Sequence, residues 1–130
     1  MSDGRTYVAV VDDDDSFARA ISRLLRAAGI ESVVFASAEA FLRDPTRPAA
    51  DCLVLDIQLG GMSGLDLHRR LSSQGEITPV IFVTAHDEPD SRVQAHEAGC
   101  VAYLRKPFRG ELLLEAIRHA VGGKPETPKP

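Results

Sequence analysis

Short apolar runs alternate along this chain with segments of helical period. Tyr7-Val8-Ala9-Val10-Val11, Cys52-Leu53-Val54-Leu55, Val80-Ile81-Phe82-Val83 and Val101-Ala102-Tyr103-Leu104 are predicted strands, and Glu31 to Phe35 is a further short one. After Val11 the period changes. Phe17, Ala20, Ile21, Leu24, Leu25 and Ala28 form a helical stripe, with Arg19, Arg23 and Arg26 outside it and Gly29 as the stop. Ser37 can cap a short helix through Glu39, Phe41 and Leu42, followed by a loop with Pro45 and Pro48. Gly60-Gly61-Met62 reads as a loop before Ser63, an N-cap with Asp66 three residues on, and Leu65, Leu67 and Leu71 belong to the third helix. Thr78-Pro79 opens the fourth strand, a position that tolerates proline. The segment from Asp90 to Ala98 is the weakest helix, with Val93, Ala95 and Ala98 as its apolar contribution and Gly99 as its end. Leu112, Leu113, Ala116, Ile117, Ala120 and Val121 define the last helix, which Gly122-Gly123 stops.

Repeated βα units predict an α/β fold with a parallel sheet, whose strands all end on one edge, where ligands bind. Four strands here end in Asp12-Asp13, Asp56, Thr84 and Lys106. Three carboxylates, a hydroxyl and an ammonium are therefore expected to meet. The second strand ends in Phe35-Ala36 with no chemical group at its tip, as suits an edge strand in the order 2-1-3-4-5. That order places strands 1, 3, 4 and 5 side by side.

The length of 130 residues fits one domain, and 44% hydrophobic content supports a core without any run long enough to span a bilayer. No secretion leader is expected, since Ser2, Asp3 and Gly4 follow Met1 directly. A net charge of -4 gives no reason to expect nucleic-acid binding, and much of it lies in the run Asp12 to Asp15, which reads as a local site. Asp14 and Asp15 are expected to cap the first helix rather than join that site. Cys52 and Cys100 both read as members of buried strands, two strands or roughly 10 Å apart, beyond disulfide reach. A reduced, cytoplasmic protein follows. Residues 1–122 read as the domain, and 123–130 as a Pro/Lys-rich tail or a truncated linker.

Two carboxylates about 5 Å apart repel by roughly 3 kcal/mol at an effective dielectric near 20. Three stay ionised together only if a cation intervenes, or else a carboxylate pKa rises. Mg²⁺, a hard ion held by a few carboxylates, suits the set. Zinc does not, because neither cysteine nor any of His68, His86, His96 and His119 has ligand spacing near the acids. A carboxylate can also attack phosphorus to give an acyl phosphate, provided fixed cations neutralise the incoming charge. Lys106 suits that task, and Thr84 can donate one hydrogen bond.

The ordered motifs Val11-Asp12-Asp13, Leu55-Asp56-Ile57, Met62-Ser63-Gly64, Val83-Thr84-Ala85 and Lys106-Pro107-Phe108 resemble the receiver domain of bacterial two-component response regulators. The resemblance runs from residue 6 to about 122. It implies a flavodoxin-like (βα)5 fold with helices on both faces of the sheet, and the strand order rests on it. It implies Asp56 as phosphoacceptor, taking its phosphoryl group from a histidine kinase or phosphotransfer protein. It further implies Mg²⁺ held by Asp13, Asp56 and the Gln58 backbone carbonyl, with Asp12 acting largely through water, Thr84 and Lys106 on the phosphoryl oxygens and a cis Lys106-Pro107 bond. Tyr103 matches the family's switch aromatic, with simple packing at a strand end as the alternative. Gln58 and His86 occupy positions that tune hydrolysis in the family, or are solvated loop side chains. His68, His96 and His119 read as surface helix residues. Arg105 and Arg109 sit on what would be the output face of the fourth helix, fifth strand and fifth helix, through which an output partner or a second copy would bind, or are ordinary solvated side chains. The segment Ser37-Ala38-Glu39-Ala40-Phe41-Leu42 and the close from Glu97-Ala98-Gly99 to Lys106-Pro107-Phe108 are most similar to receivers of the nitrogen-fixation regulator type, which carry a helix-turn-helix output domain. One departure is Gly60-Gly61 where the family commonly has proline, which loosens the loop without adding or removing a chemical group.

The rival reading is an enzyme. A phosphatase of the haloacid-dehalogenase type also uses an aspartate nucleophile with Thr, Lys and Mg²⁺, but would place the nucleophile on the first strand, with Asp12 and Asp14 as a D-x-D pair. The chain is short for that and the motif order is wrong. A third reading is a binding module independent of phosphorylation. A flavin carrier is disfavoured, because no Ser/Thr-Gly-rich phosphate loop follows the first strand.

Overall fold

The computed structural model describes residues 6–44 and 49–122; Pro45, Pro48 and the tail at 123–130 lie outside the described residues. Ten elements alternate along the chain: β1 (Tyr7–Val11), α1 (Asp15–Ala27), β2 (Glu31–Phe35), α2 (Ala38–Arg43), β3 (Cys52–Asp56), α3 (Gly64–Ser73), β4 (Val80–Thr84), α4 (Pro89–Glu97), β5 (Ala102–Arg105) and α5 (Gly110–Gly122). The strands form one parallel sheet in the order β2-β1-β3-β4-β5, the flavodoxin-like arrangement.

Successive side chains of a strand point to opposite faces, and this sheet uses both. Ala9, Val11, Leu53, Leu55 and Phe82 face one way, onto Phe41 of α2, Leu65, Leu67 and Leu71 of α3, and Ala95 of α4. Val8, Val10, Cys52, Val54, Ile81 and Val83 face the other way, onto Ile21 and Leu25 of α1 and Leu113, Ala116, Ile117 and Ala120 of α5. Every residue of β3 and β4 is buried, which is why these strands read as unbroken apolar runs rather than alternating ones. Each fully buried Leu, Ile or Phe contributes roughly 1.5–3 kcal/mol. The helices share that burial unequally. In α4 only Ala95 is buried, and Val93, expected to help anchor the helix, is half exposed.

The helix ends follow local chemistry. Asp14 Oδ1 accepts from the backbone N–H groups of Ser16 (3.1 Å) and Phe17 (3.2 Å), so Asp14 is the N-cap of α1 and Asp15 lies in its first turn. Asp14→Ala should cost about 1 kcal/mol in a urea unfolding experiment, while Asp14→Ser, which keeps an acceptor, should cost a few tenths. Ser37 and Ser63 cap α2 and α3 through the N–H groups of Ala40 and Asp66, each at 3.0 Å. Gly29 and Gly99, both at φ 78°, terminate α1 and α4 in the left-handed conformation.

Two expectations shift at β5. After Gly99 the Cys100 N–H turns back to the Ala95 carbonyl at 3.4 Å, closing the helix end. Cys100 is therefore a half-buried turn residue and not part of a strand. The strand proper starts one residue later than its apolar run and pairs through Thr84 with Arg105. Cys52 is buried on β3, and both thiols are free.

Candidate phosphoryl and metal site

Each strand tip is fixed by a ladder bond beyond the last paired residue. Asp12 N–H donates to the Phe35 carbonyl (3.0 Å), Ile57 N–H to the Val83 carbonyl (3.0 Å) and Lys106 N–H to the Thr84 carbonyl (2.7 Å). The register therefore brings the four strand ends together on one edge. Asp12, Asp13 and Asp56 can each offer an oxygen such that all three lie within 4.8 Å of one another. Lys106 Nζ reaches into this cluster, 2.9 Å from Asp12 Oδ2 and 3.3 Å from Asp56 Oδ2. Asp12 and Asp56 are buried and Asp13 is exposed. The Lys106-Pro107 bond is cis, as expected.

Burial raises the Asp56 pKa to about 6, with repulsion from Asp12 adding to the shift and Lys106 opposing it. For Lys106, burial opposes the charge, but Asp12 and Asp56 outweigh it and hold the ammonium above its ordinary pKa. Lys106 Nζ also lies 4.0 Å from the ring centroid of Phe17, which stacks edge-on against Phe108. The remaining oxygens of the buried acids are fixed by backbone: Asp12 Oδ1 accepts from Asp14 N–H (2.9 Å) and Asp56 Oδ1 from Gln58 N–H (3.0 Å). Three hard oxygen donors within a few ångströms, one of them open to water, match the needs of Mg²⁺. Among the described residues no other such group of His, Cys, Asp and Glu forms. A cavity of about 580 Å³ lies at the opposite end of the sheet, between Tyr7, Arg26 and Glu31. The site is defined by charge, not by volume.

Thr84 is fully buried at the end of β4. Its Oγ1 accepts from the His86 N–H at 3.0 Å and contacts the Gln58 side-chain Oε1 in a short hydrogen bond. Gln58 is thus part of the site by its side chain, whereas the His86 side chain is exposed and only its backbone takes part. Tyr103 donates its hydroxyl to Asp87 Oδ1 at 3.1 Å, and Arg92 grips the same carboxylate while its guanidinium lies 5.8 Å from the Tyr103 ring. Asp87 and Arg92 carried no signal in the sequence, because nothing in their spacing points to Tyr103. Phe17 was legible only as a core residue.

Gly64 has a different part. A Cβ there would lie 2.2 Å from the Asp56 carbonyl oxygen, so α3 starts pressed against the backbone that carries the central acid. His96 and His119 are exposed, as expected, but His68 is half-buried with its ring 5.9 Å from that of Phe82; burial first, then Arg69, lowers its pKa. Arg105 and Arg109 are exposed, the latter 3.3 Å from Glu111. The phosphatase arrangement lacks its second acid, since Asp14 is engaged in capping α1.

The family described as response regulator receiver domain matches residues 8–118. Response regulator protein TodT of Pseudomonas putida is 42% identical over 126 residues, covering 97% of this chain and 56% of its own length. Transcriptional regulatory protein FixJ of Azorhizobium caulinodans is 33% identical over 119 residues, 92% of this chain and 56% of its own. The chain thus spans a little over half the length of these curated relatives. A crystal structure of a response regulator receiver protein from Burkholderia phymatum superposes with a TM-score of 0.78 at 43% identity, covering 91% of this chain and 96% of that one. A match across most of the chain, in a sheet whose order and acid-bearing tips agree with it, makes this protein a member of the response regulator receiver domain family.

Proposed function

We propose that this chain is a phosphorylation-controlled switch in which Asp56 accepts a phosphoryl group from a histidine kinase or phosphotransfer protein. One observation carries the reading: Lys106 Nζ lies between Asp12 and Asp56 at the edge where Asp13 and Thr84 also end. A carboxylate oxygen of Asp56 forms the new bond to phosphorus, while the bond to the donor nitrogen breaks and its electron pair stays on the donor. Lys106 supplies a fixed positive charge for the transferred oxygens, and Thr84 is a hydroxyl donor once it leaves Gln58. Asp12, Asp13, Asp56 and the Gln58 carbonyl would hold Mg²⁺, which when bound neutralises carboxylate and phosphoryl charge. Positioning and neutralisation make up most of catalysis in phosphoryl transfer. The protein assists its own modification and hydrolysis but turns over no separate substrate.

The output follows from Thr84. Its inward movement frees space for Tyr103, which leaves Asp87 and Arg92, and the face of α4, β5 and α5 changes shape. Sparse burial in α4 supports this, since mobile elements come from the low-stability end. That face is the docking surface for an output domain, a partner or a second copy. Residues 1–122 form the receiver unit, with 123–130 as linker or tail. Two free thiols agree with a reducing, cytoplasmic setting. Within the family, identity is higher to TodT than to FixJ, so kinship with the nitrogen-fixation type has the weaker support.

Acetyl phosphate with Mg²⁺ should add one phosphoryl group to the protein by intact mass, and Asp56→Ala should abolish the adduct. Persistent labelling of that variant would refute the assignment.

A further inference from the structure

The loop from β3 to α3 contains Gly60-Gly61, and glycine is the residue that loses most freedom on ordering. Near β3 the loop is held by its own backbone, with Leu59 and Gly64 N–H both donating to the Ile57 carbonyl, at 3.2 and 3.1 Å. Its far end is gripped from another element. Glu39 of α2 accepts the Met62 N–H on Oε2 at 2.9 Å, across 23 positions of sequence. Gly61 is shaped for this contact: its φ is 113°, and a Cβ there would lie 2.9 Å from that same Glu39 oxygen. The Met62 N–H, and then the N–H of Glu39 itself, lower the Glu39 pKa, so the group is a carboxylate at neutral pH. Glu39 also projects from a well-anchored helix, since Phe41 is buried edge-on against Phe35 and Ser37 caps the first turn.

We propose that Glu39 is a positioning residue for the acidic centre, clamping Met62 so that a two-glycine loop presents the Gln58 carbonyl beside Asp56. The clamp takes the place of the rigidity that a proline would give this loop. The inference rests on the reading of Asp56 as a Mg²⁺ and phosphoryl site.

The test compares wild type, Glu39→Ala and Glu39→Gln in two measurements, amide hydrogen exchange without metal and the Kd for Mg²⁺ by NMR titration. In Glu39→Ala, exchange at Met62 should rise about tenfold, the loss of one charge-assisted hydrogen bond. The Kd for Mg²⁺ should rise roughly three- to tenfold, below the range for partners that touch a metal ligand directly. Glu39→Gln keeps an oxygen that can accept from Met62, so both values should return to within about twofold of wild type. An unchanged Kd in Glu39→Ala would overturn the proposal, as would a uniform rise in exchange over the whole chain. A Glu39→Gln variant as weak as alanine would also overturn it, because charge and not the clamp would then be responsible. If wild type itself fails to bind Mg²⁺ at millimolar concentration, the reading of the site falls and the clamp's role falls with it.

Discussion

Asparagine in place of Asp56 should stabilise the metal-free protein by up to about 3 kcal/mol at pH 8, while ending phosphoryl acceptance. The gain comes from removing a buried charge. Burial and Asp12 together raise the Asp56 pKa from 3.8 to about 6, so the carboxylate that the folded protein holds at neutral pH costs more there than in the unfolded chain. A raised folded pKa means that the native state binds more protons than the unfolded chain between about pH 4 and 6, and stability falls as pH rises through that window. Asparagine has the same shape, and its oxygen can still accept from Gln58 N–H. The difference between variant and wild type should be near zero at pH 4 and reach its full value above pH 6.5, in urea unfolding with a chelator present. Adding Mg²⁺ should narrow the gap at pH 8, because a ligand of the native wild type stabilises it by mass action. A difference that is flat with pH would show that the charge burden lies elsewhere.

Gly64→Ala should cost about 3 kcal/mol or more, an overpacking effect at the upper end of its usual range. The new methyl would meet the Asp56 carbonyl oxygen at 2.2 Å, its carbon at 2.9 Å and Ile57 Cα at 3.2 Å. All three are backbone atoms, so no rotamer change can relieve the contact. Either α3 backs away from β3, losing part of the contact of buried Leu65 and Leu67 with the core, or the Asp56 peptide rotates. Both outcomes disturb the centre. Urea unfolding should report the loss, and beryllofluoride binding at Asp56 should weaken even where the variant remains folded. A fully stable Gly64→Ala with unchanged beryllofluoride affinity would show that this junction has room.

Much of this was legible before any coordinates, for a physical reason. Buried parallel strands are apolar along their whole length, so β1, β3 and β4 announce themselves, and the first polar residue after each run is a strand tip. Asp12, Asp56 and Thr84 are found that way, while Lys106 lies one residue further on, after Arg105. Caps were legible too, because Asp14, Ser37 and Ser63 act on N–H groups two or three residues away. What depends on approach between distant elements was not. Nothing in the sequence says that Asp87 and Arg92 meet Tyr103, that Phe17 lies beneath Lys106, or that His68 turns inward onto Phe82. Cys100 failed for a related reason, since its place is set by how α4 closes and not by its own polarity.

The uneven wetting of the acids has a last consequence. Of the three carboxylates only Asp13 meets bulk water, while Asp12, Asp56 and Thr84 are enclosed. Ions can load and leave over this single wet rim without any opening of the sheet, so their exchange should be quick. Under the proposed switch, Thr84 would have no such route to a new partner and would have to turn within a packed interior, so the response should be slower than ion loading.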